Sequence, residues 1–184
     1  EVRRGAVPGP FIDLVKALAS DPLFVKLTPM SKKQIDERER EELVTRLFAY
    51  GDGLTDYHDE VSRFLYSYTL KMTKQFREDP QLANIYRDKF NKVMQFAQKS
   101  FPYGFAKAEK GNATPRARFE ALAVGSLLAL QKKPNLTIST ETVKSLFEVR
   151  RFVTCIRSDG ANVRSKLENR IFVVRDWFLK RDGQ

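Results

Sequence analysis

The chain of 184 residues carries 33 Lys and Arg against 23 Asp and Glu, a formal charge of +10, and 42% hydrophobic residues. That length suits one domain or a large piece of one, and the apolar content is enough for a packed core, which excludes wholesale disorder. A single cysteine, Cys155, and a single histidine, His58, exclude an internal disulfide and a four-ligand Cys/His zinc site, and leave any histidine-dependent nucleophile with His58 alone.

In chain order, Val7-Pro8-Gly9-Pro10 is extended, and Pro10 suits the first turn of a helix running to about Ala19. Asp21-Pro22 starts a short helix or turn. From Ser31 to Tyr50 a helix is predicted whose apolar stripe is Leu43, Val44, Leu47 and Phe48, ended by Gly51-Asp52-Gly53. The mixed charge run from Asp36 to Glu42 reads as its solvated face, with Glu42 four residues before Arg46.

Val61, Phe64, Leu65, Tyr68, Met72 and Phe76 follow a helical period over about Asp56 to Glu78. Asp79-Pro80 breaks the chain and restarts it as a second amphipathic helix to about Ser100, and so short a link predicts antiparallel packing of the two. Phe101 to Asn112 reads as a loop. Thr114-Pro115 is read as the cap and first turn of a helix to about Lys132 that is apolar nearly all round between Phe119 and Leu130, so it belongs at the centre. Gly125 within it costs about 1 kcal/mol against alanine, which predicts close packing against a neighbour.

Ser139 or Thr140 caps a further predicted helix to about Arg157, and Ser158-Asp159-Gly160 is a turn. Asn162 is read as the cap of the last helix, whose stripe is Val163, Leu167, Ile171, Val174 and Phe178. Leu136-Thr137-Ile138 and Phe152 to Ile156 carry weak strand signals that fit a helical frame equally well. The expected fold is all-α, a bundle of about six or seven helices around a central apolar helix. The longest apolar run, Ala121 to Leu130, falls well short of the roughly 18 residues a bilayer span needs, so no membrane partner is expected. Glu1-Val2-Arg3-Arg4 shows neither a start methionine nor a following signal-peptide stretch, so the chain is expected to be part of a longer, cytoplasmic protein.

Charge is uneven. Residues 1–86 hold 13 basic and 14 acidic groups, while residues 87–184 hold 20 and 9. A neutral half joined to a strongly basic one points to a polyanionic partner. The candidate contacts are Arg116 and Arg118 at the start of the central helix and Lys132 and Lys133 at its end. Arg150 and Arg157, seven apart, share a helix face with Arg151 beside them, and Arg164, Lys166 and Arg170 decorate the last helix with Arg175. Arginine forks suit phosphate oxygens, and without a recognition-helix signature the contacts are expected to fall on the backbone of a nucleic acid rather than on its bases.

Catalytic patterns are missing. Gly5 to Gly9 and Gly51 to Gly53 do not form a phosphate loop, and the carboxylates Asp52, Asp56, Asp59 and Glu60 read as turn and capping residues. His58 sits where side chains face solvent, and Cys155 lies in an apolar stretch as a core thiol. No catalytic residue, metal or cofactor is assigned; Asp52 and His58 would be the first suspects of a hidden enzyme.

Five segments occur in the order of one family's helical part. They are Glu1-Val2-Arg3-Arg4-Gly5-Ala6-Val7-Pro8-Gly9-Pro10-Phe11, Glu42-Leu43-Val44-Thr45-Arg46-Leu47-Phe48-Ala49, Tyr57 with Phe64-Leu65, Phe119-Glu120-Ala121-Leu122-Ala123-Val124, and Ser165 with Arg170. Together they resemble the part that follows the catalytic region in bacterial GmrSD-type proteins, the ParB/sulfiredoxin-like nucleases. The family's Asp-Gly-Gln-Gln-Arg motif is absent, and Asp182-Gly183-Gln184 lacks its Gln-Arg. The resemblance implies a helical, non-catalytic portion of a DNA-targeting, restriction-like defence protein. It further implies an N-terminal nuclease half, NTP-dependent in the parent protein, as partner. The alternative is a helical protein-interaction or scaffold module that makes no nucleic-acid contact.

Overall fold

Pro10 occupies the first turn of α1 (Pro10–Ala19), where its missing N–H costs nothing, and Asp21 caps α2 (Pro22–Leu27) by accepting from the Phe24 N–H at 2.9 Å. The computed structural model describes residues 8–109, 111–156 and 162–183, and among these every regular element is helical. The remaining helices are α3 (Lys32–Asp36), α4 (Glu39–Gly51), α5 (Val61–Glu78), α6 (Leu82–Ser100), α7 over 116–132, α8 (Thr140–Leu146), α9 (Arg150–Cys155) and α10 (Arg164–Lys180). The all-α expectation therefore holds, with ten helices among the described residues rather than six or seven.

Two of the predicted helices are each broken in two. The Ser31–Tyr50 unit divides at Arg38, whose φ of 54° is left-handed. Ser31 and Gln34 form a reciprocal capping box on α3, and Arg40 reaches back to the Thr28 carbonyl at 3.0 Å. The break turns Glu39, read as solvated, into the interior. The Ser139–Arg157 unit divides between Leu146 and Arg150, where Phe147 folds onto Phe152 with ring centroids 5.2 Å apart. Ser139 is its cap, accepting from Thr142 N–H at 3.1 Å.

Two capping expectations are corrected. Pro115 holds the cap position of α7, while Thr114 donates to the Pro29 carbonyl at 3.0 Å. Val163 holds the cap position of α10, and its cap comes from across the molecule: Asp59, at φ 61°, accepts from Arg164 N–H at 2.6 Å. The loop bearing Asp59 displaces the start of α5 from Asp56 to Val61.

The core is built around α7. This helix consists of an α-helical turn Arg116–Phe119, a π-helical segment Glu120–Val124 and an α-helical run Gly125–Lys132. It packs against α4, α6 and α10, as its near-continuous apolar surface requires. The close approach expected at Gly125 is real: a Cβ there would lie 2.6 Å from Val174 Cβ and 3.0 Å from the Ile171 carbonyl of α10. α5 and α6 touch, but each contacts α1 more extensively than the other. Phe11 of α1 packs on α5, with ring centroids 5.4 Å from Phe76 and 5.7 Å from Tyr68. Cys155 is buried and His58 exposed. No helix among the described residues is long and apolar enough to cross a membrane.

Candidate anion-binding site

Glu120 is the one acidic group in the apolar run of α7, and it is almost completely buried. A lone buried carboxylate is costly, so it must be paired. Arg46 of α4 donates through Nη1 to Glu120 Oε1 at 2.5 Å, and Arg170 of α10 donates through Nη2 to Oε2. Arg46 also donates to Glu42 Oε1 from Nη2 at 2.7 Å and to the Tyr50 hydroxyl at 3.2 Å. Burial alone would lower the Arg46 guanidinium, but the charges of Glu120 and Glu42 and the hydrogen bond to Glu42 outweigh it and hold it above its ordinary value. Burial pushes the Tyr50 phenol up. Three helices are thus tied through one carboxylate, at the first residue of the π segment. The extra residue in such a segment rotates the helix face beyond it by roughly 100°. Glu120 can then meet two arginines while Gly125 still faces Val174.

This network floors a cleft of about 1020 Å³ between the start of α7, the loop after α6, and α8 and α9. Phe101, Tyr103, Phe147, Val153 and Ile156 give it an apolar side. The cationic lining is Lys107, Arg116, Arg118 and Lys144, with Arg46 and Arg170 in the network beneath, and Arg118 lies against Phe147.

These cations are not equivalent. Arg116, half exposed, is held by a two-pronged pair with buried Glu39, whose hydrogen bonds raise its guanidinium above the ordinary value. Arg46 and Arg170 are committed to Glu120. Arg118 differs. Its side chain is buried at 9% exposure with the guanidinium 3.8 Å above the Phe147 ring, and its Nε has no hydrogen-bond partner. Among the described residues no carboxylate pairs with it, and burial lowers it to about 10. The stacked ring supplies some compensation, since cation–π contacts contribute about 0.5–2 kcal/mol. Lys107 and Lys144 are exposed at the rim.

Of the residues singled out from sequence, Arg116, Arg118 and Arg170 come together at this cleft. The others do not. Lys132 and Lys133 lie at the opposite end of α7, about 24 Å away along a 17-residue helix, and Lys133 pairs with Asp182, whose carboxyl it holds below the usual range. Arg150 is exposed on α9. Arg151 donates to Asn169 Oδ1 at 3.1 Å, and Arg164 binds Glu168 at 2.8 Å. Lys166 is half-buried on α10, and Arg157 lies outside the described residues. Sequence reasoning missed Lys107 and Lys144, and took Arg46 and Glu120 only as helix and resemblance positions. The signal available was a carboxylate inside an otherwise apolar helix, which demands a buried cation.

A second polar cluster is fully satisfied. Tyr68 and Tyr86 both donate to Asp52 Oδ2, the former at 2.5 Å, and Lys89 donates to Oδ1 at 3.3 Å. It ties the end of α4 to α5 and α6. No three His, Cys, Asp or Glu side chains among the described residues are placed to hold a metal. Comparison with protein-family models, curated proteins and solved structures returns no match.

Proposed function

We propose that the chain is a non-catalytic helical module that contacts nucleic-acid backbone through its basic second half. In this reading it is the helical portion of a DNA-targeting, restriction-like defence protein and works with a nuclease half of the same protein. The observation that carries the reading is the surplus of positive charge at the cleft. Lys107, Arg118 and Lys144 converge there, with Arg118 buried and lacking a carboxylate partner among the described residues. An anionic ligand would supply the missing counter-charge. Further support comes from the residues of the family resemblance: Glu42, Arg46, Glu120 and Arg170 all lie in the network beneath that cleft.

The test is anisotropy of labelled single-stranded and duplex DNA over a salt series. Each phosphate neutralised contributes about −0.9 to the log–log salt slope for duplex and about −0.7 for a single strand. A slope corresponding to several contacts is expected; absent or salt-insensitive binding of both forms overturns the reading. The second reading, a docking module for protein, is favoured by the apolar wall of Phe101, Tyr103, Phe147, Val153 and Ile156. It prevails if replacing Lys107, Arg118 and Lys144 together leaves the DNA-directed function of the intact protein unchanged.

A further inference from the structure

The cleft is the wrong shape for the side of a duplex. Its ion-paired floor and Arg118 are buried, whereas phosphates on a duplex about 20 Å across meet groups that project from a surface. A group that reaches Arg118 must enter the cavity. The volume, about 1020 Å³, lies at the upper end of small-ligand sites, which run about 300–1,000 Å³.

The charges narrow the ligand further. Glu39, Glu42 and Glu120 offset Arg116, Arg46 and Arg170, leaving Arg118, Lys107 and Lys144 facing the space. Lys144 has only a loose contact with Glu141, 4.0 Å away and largely solvated. A surplus of this size suits a dianion better than the single charge of a phosphodiester, and a phosphomonoester carries about −1.5 to −2 at neutral pH. The apolar lining from Phe101, Tyr103, Val153 and Ile156 suits a planar, weakly polar body attached to that phosphate.

We propose that the cleft between the start of α7 and α8 binds a phosphomonoester carried on a nucleobase-bearing body, with buried Arg118 as its principal phosphate contact. This rests on the reading of the chain as a nucleic-acid module. The chemistry is shared by a phosphorylated strand end and a free nucleotide. Arg118 makes this proposal testable apart from folding. A guanidinium buried with no carboxylate partner among the described residues costs stability, so a residue kept only for the fold would be better replaced by an apolar side chain of similar length.

The experiment measures binding of one single-stranded oligonucleotide in 5′-phosphorylated and 5′-hydroxyl forms, with a blunt duplex as third probe and thymidine 5′-monophosphate as competitor. The chain is tested alongside Arg118→Met and Arg118→Lys. The expected result is at least tenfold tighter binding of the 5′-phosphorylated strand, a preference that Arg118→Met abolishes while its thermal midpoint holds or rises. Arg118→Lys, which keeps the charge without the fork, should retain part of the preference and serves if the methionine variant does not fold. Displacement by thymidine 5′-monophosphate assigns the cleft to free nucleotides, and failure to displace assigns it to strand ends. Equal affinity for both oligonucleotides with binding otherwise intact overturns the phosphomonoester site and leaves the nucleic-acid reading standing. No binding of any DNA probe or of the monophosphate overturns both.

Discussion

Arg170 and Glu120 form a buried ion pair between α10 and the first residue of the π segment in α7, each with about 1% of its surface exposed. Because Arg46 binds the other oxygen of the same carboxylate, Glu120 neutralises charge from two directions and joins three helices. Glu120→Gln should therefore destabilise the protein by about 3–5 kcal/mol, since removing the charge of one member of a buried pair leaves the other charges less compensated. For a chain of this size each kcal/mol moves the midpoint by about 2–4 °C, so a drop of roughly 6–20 °C is expected in a thermal melt. Adding Arg170→Met should return a substantial part of that loss, leaving Arg46 with Glu42. Strict additivity of the two substitutions in urea denaturation would contradict direct coupling.

Gly125→Ala separates helix propensity from packing. Propensity alone favours alanine by about 1 kcal/mol. The added methyl would meet Val174 Cβ at 2.6 Å and the Ile171 carbonyl at 3.0 Å, and backbone cannot move aside as a flexible side chain can. Overpacking of this kind costs about 1–3 kcal/mol, so the variant should be less stable. Val174→Ala in the same chain should recover only part of the loss, because the carbonyl contact remains. A chemical melt showing Gly125→Ala more stable than the parent would refute close packing of α7 on α10.

Much of the helical framework was legible from periodicity and from strong local signals such as Pro10, Asp21 and Ser139. The apolar run from Phe119 also marked the helix that lies at the centre. The site was less legible because its partners are remote: Arg46 and Glu120 are 74 positions apart, Glu120 and Arg170 are 50 apart, and Arg116 and Glu39 are 77 apart. Arg116 and Arg118, two residues apart in one turn, look alike in sequence. Only the fold decides that Glu39 occupies the first and that the Phe147 ring faces the second. The same reason explains Asp59, which caps α10 across 105 residues. Local spacing identifies amphipathic faces, but the choice of counter-ion is tertiary.

Alkaline stability should report on the Asp52 cluster. Burial, followed by the Asp52 charge and hydrogen bond, pushes the Tyr68 phenol far above its ordinary value, and burial with the Asp52 hydrogen bond does the same at Tyr86. In the unfolded chain both ionise near pH 10, whereas in the folded protein they keep their protons. The unfolded state then binds fewer protons above that pH, so stability is intact below about pH 10 and falls as pH rises beyond it. Tyr68→Phe should lower stability at neutral pH by about 1.5–3 kcal/mol through loss of a hydrogen bond to a carboxylate. It should also flatten the alkaline decline. An unchanged slope between pH 9 and pH 11 would mean that Tyr68 does not control it.

Glu39→Gln tests how charge is apportioned at the cleft. Buried Glu39 receives both Nε and Nη2 of Arg116, so the guanidinium at the cleft wall is already neutralised from below. Glutamine keeps an acceptor but removes the negative charge, leaving Arg116 with Glu42 at 3.8 Å as its nearest carboxylate. The variant should lose stability, because a two-pronged ion pair becomes a single hydrogen bond to an uncharged acceptor. It should also bind a 5′-phosphorylated single strand more tightly, since Arg116 then contributes its full charge to the ligand. The salt slope should steepen by up to about 0.7, one further phosphate contact on a single strand. A folded variant with unchanged affinity and slope would show that Arg116 stays turned away from the bound anion. The cleft's positive surplus would then reside in Arg118, Lys107 and Lys144 alone.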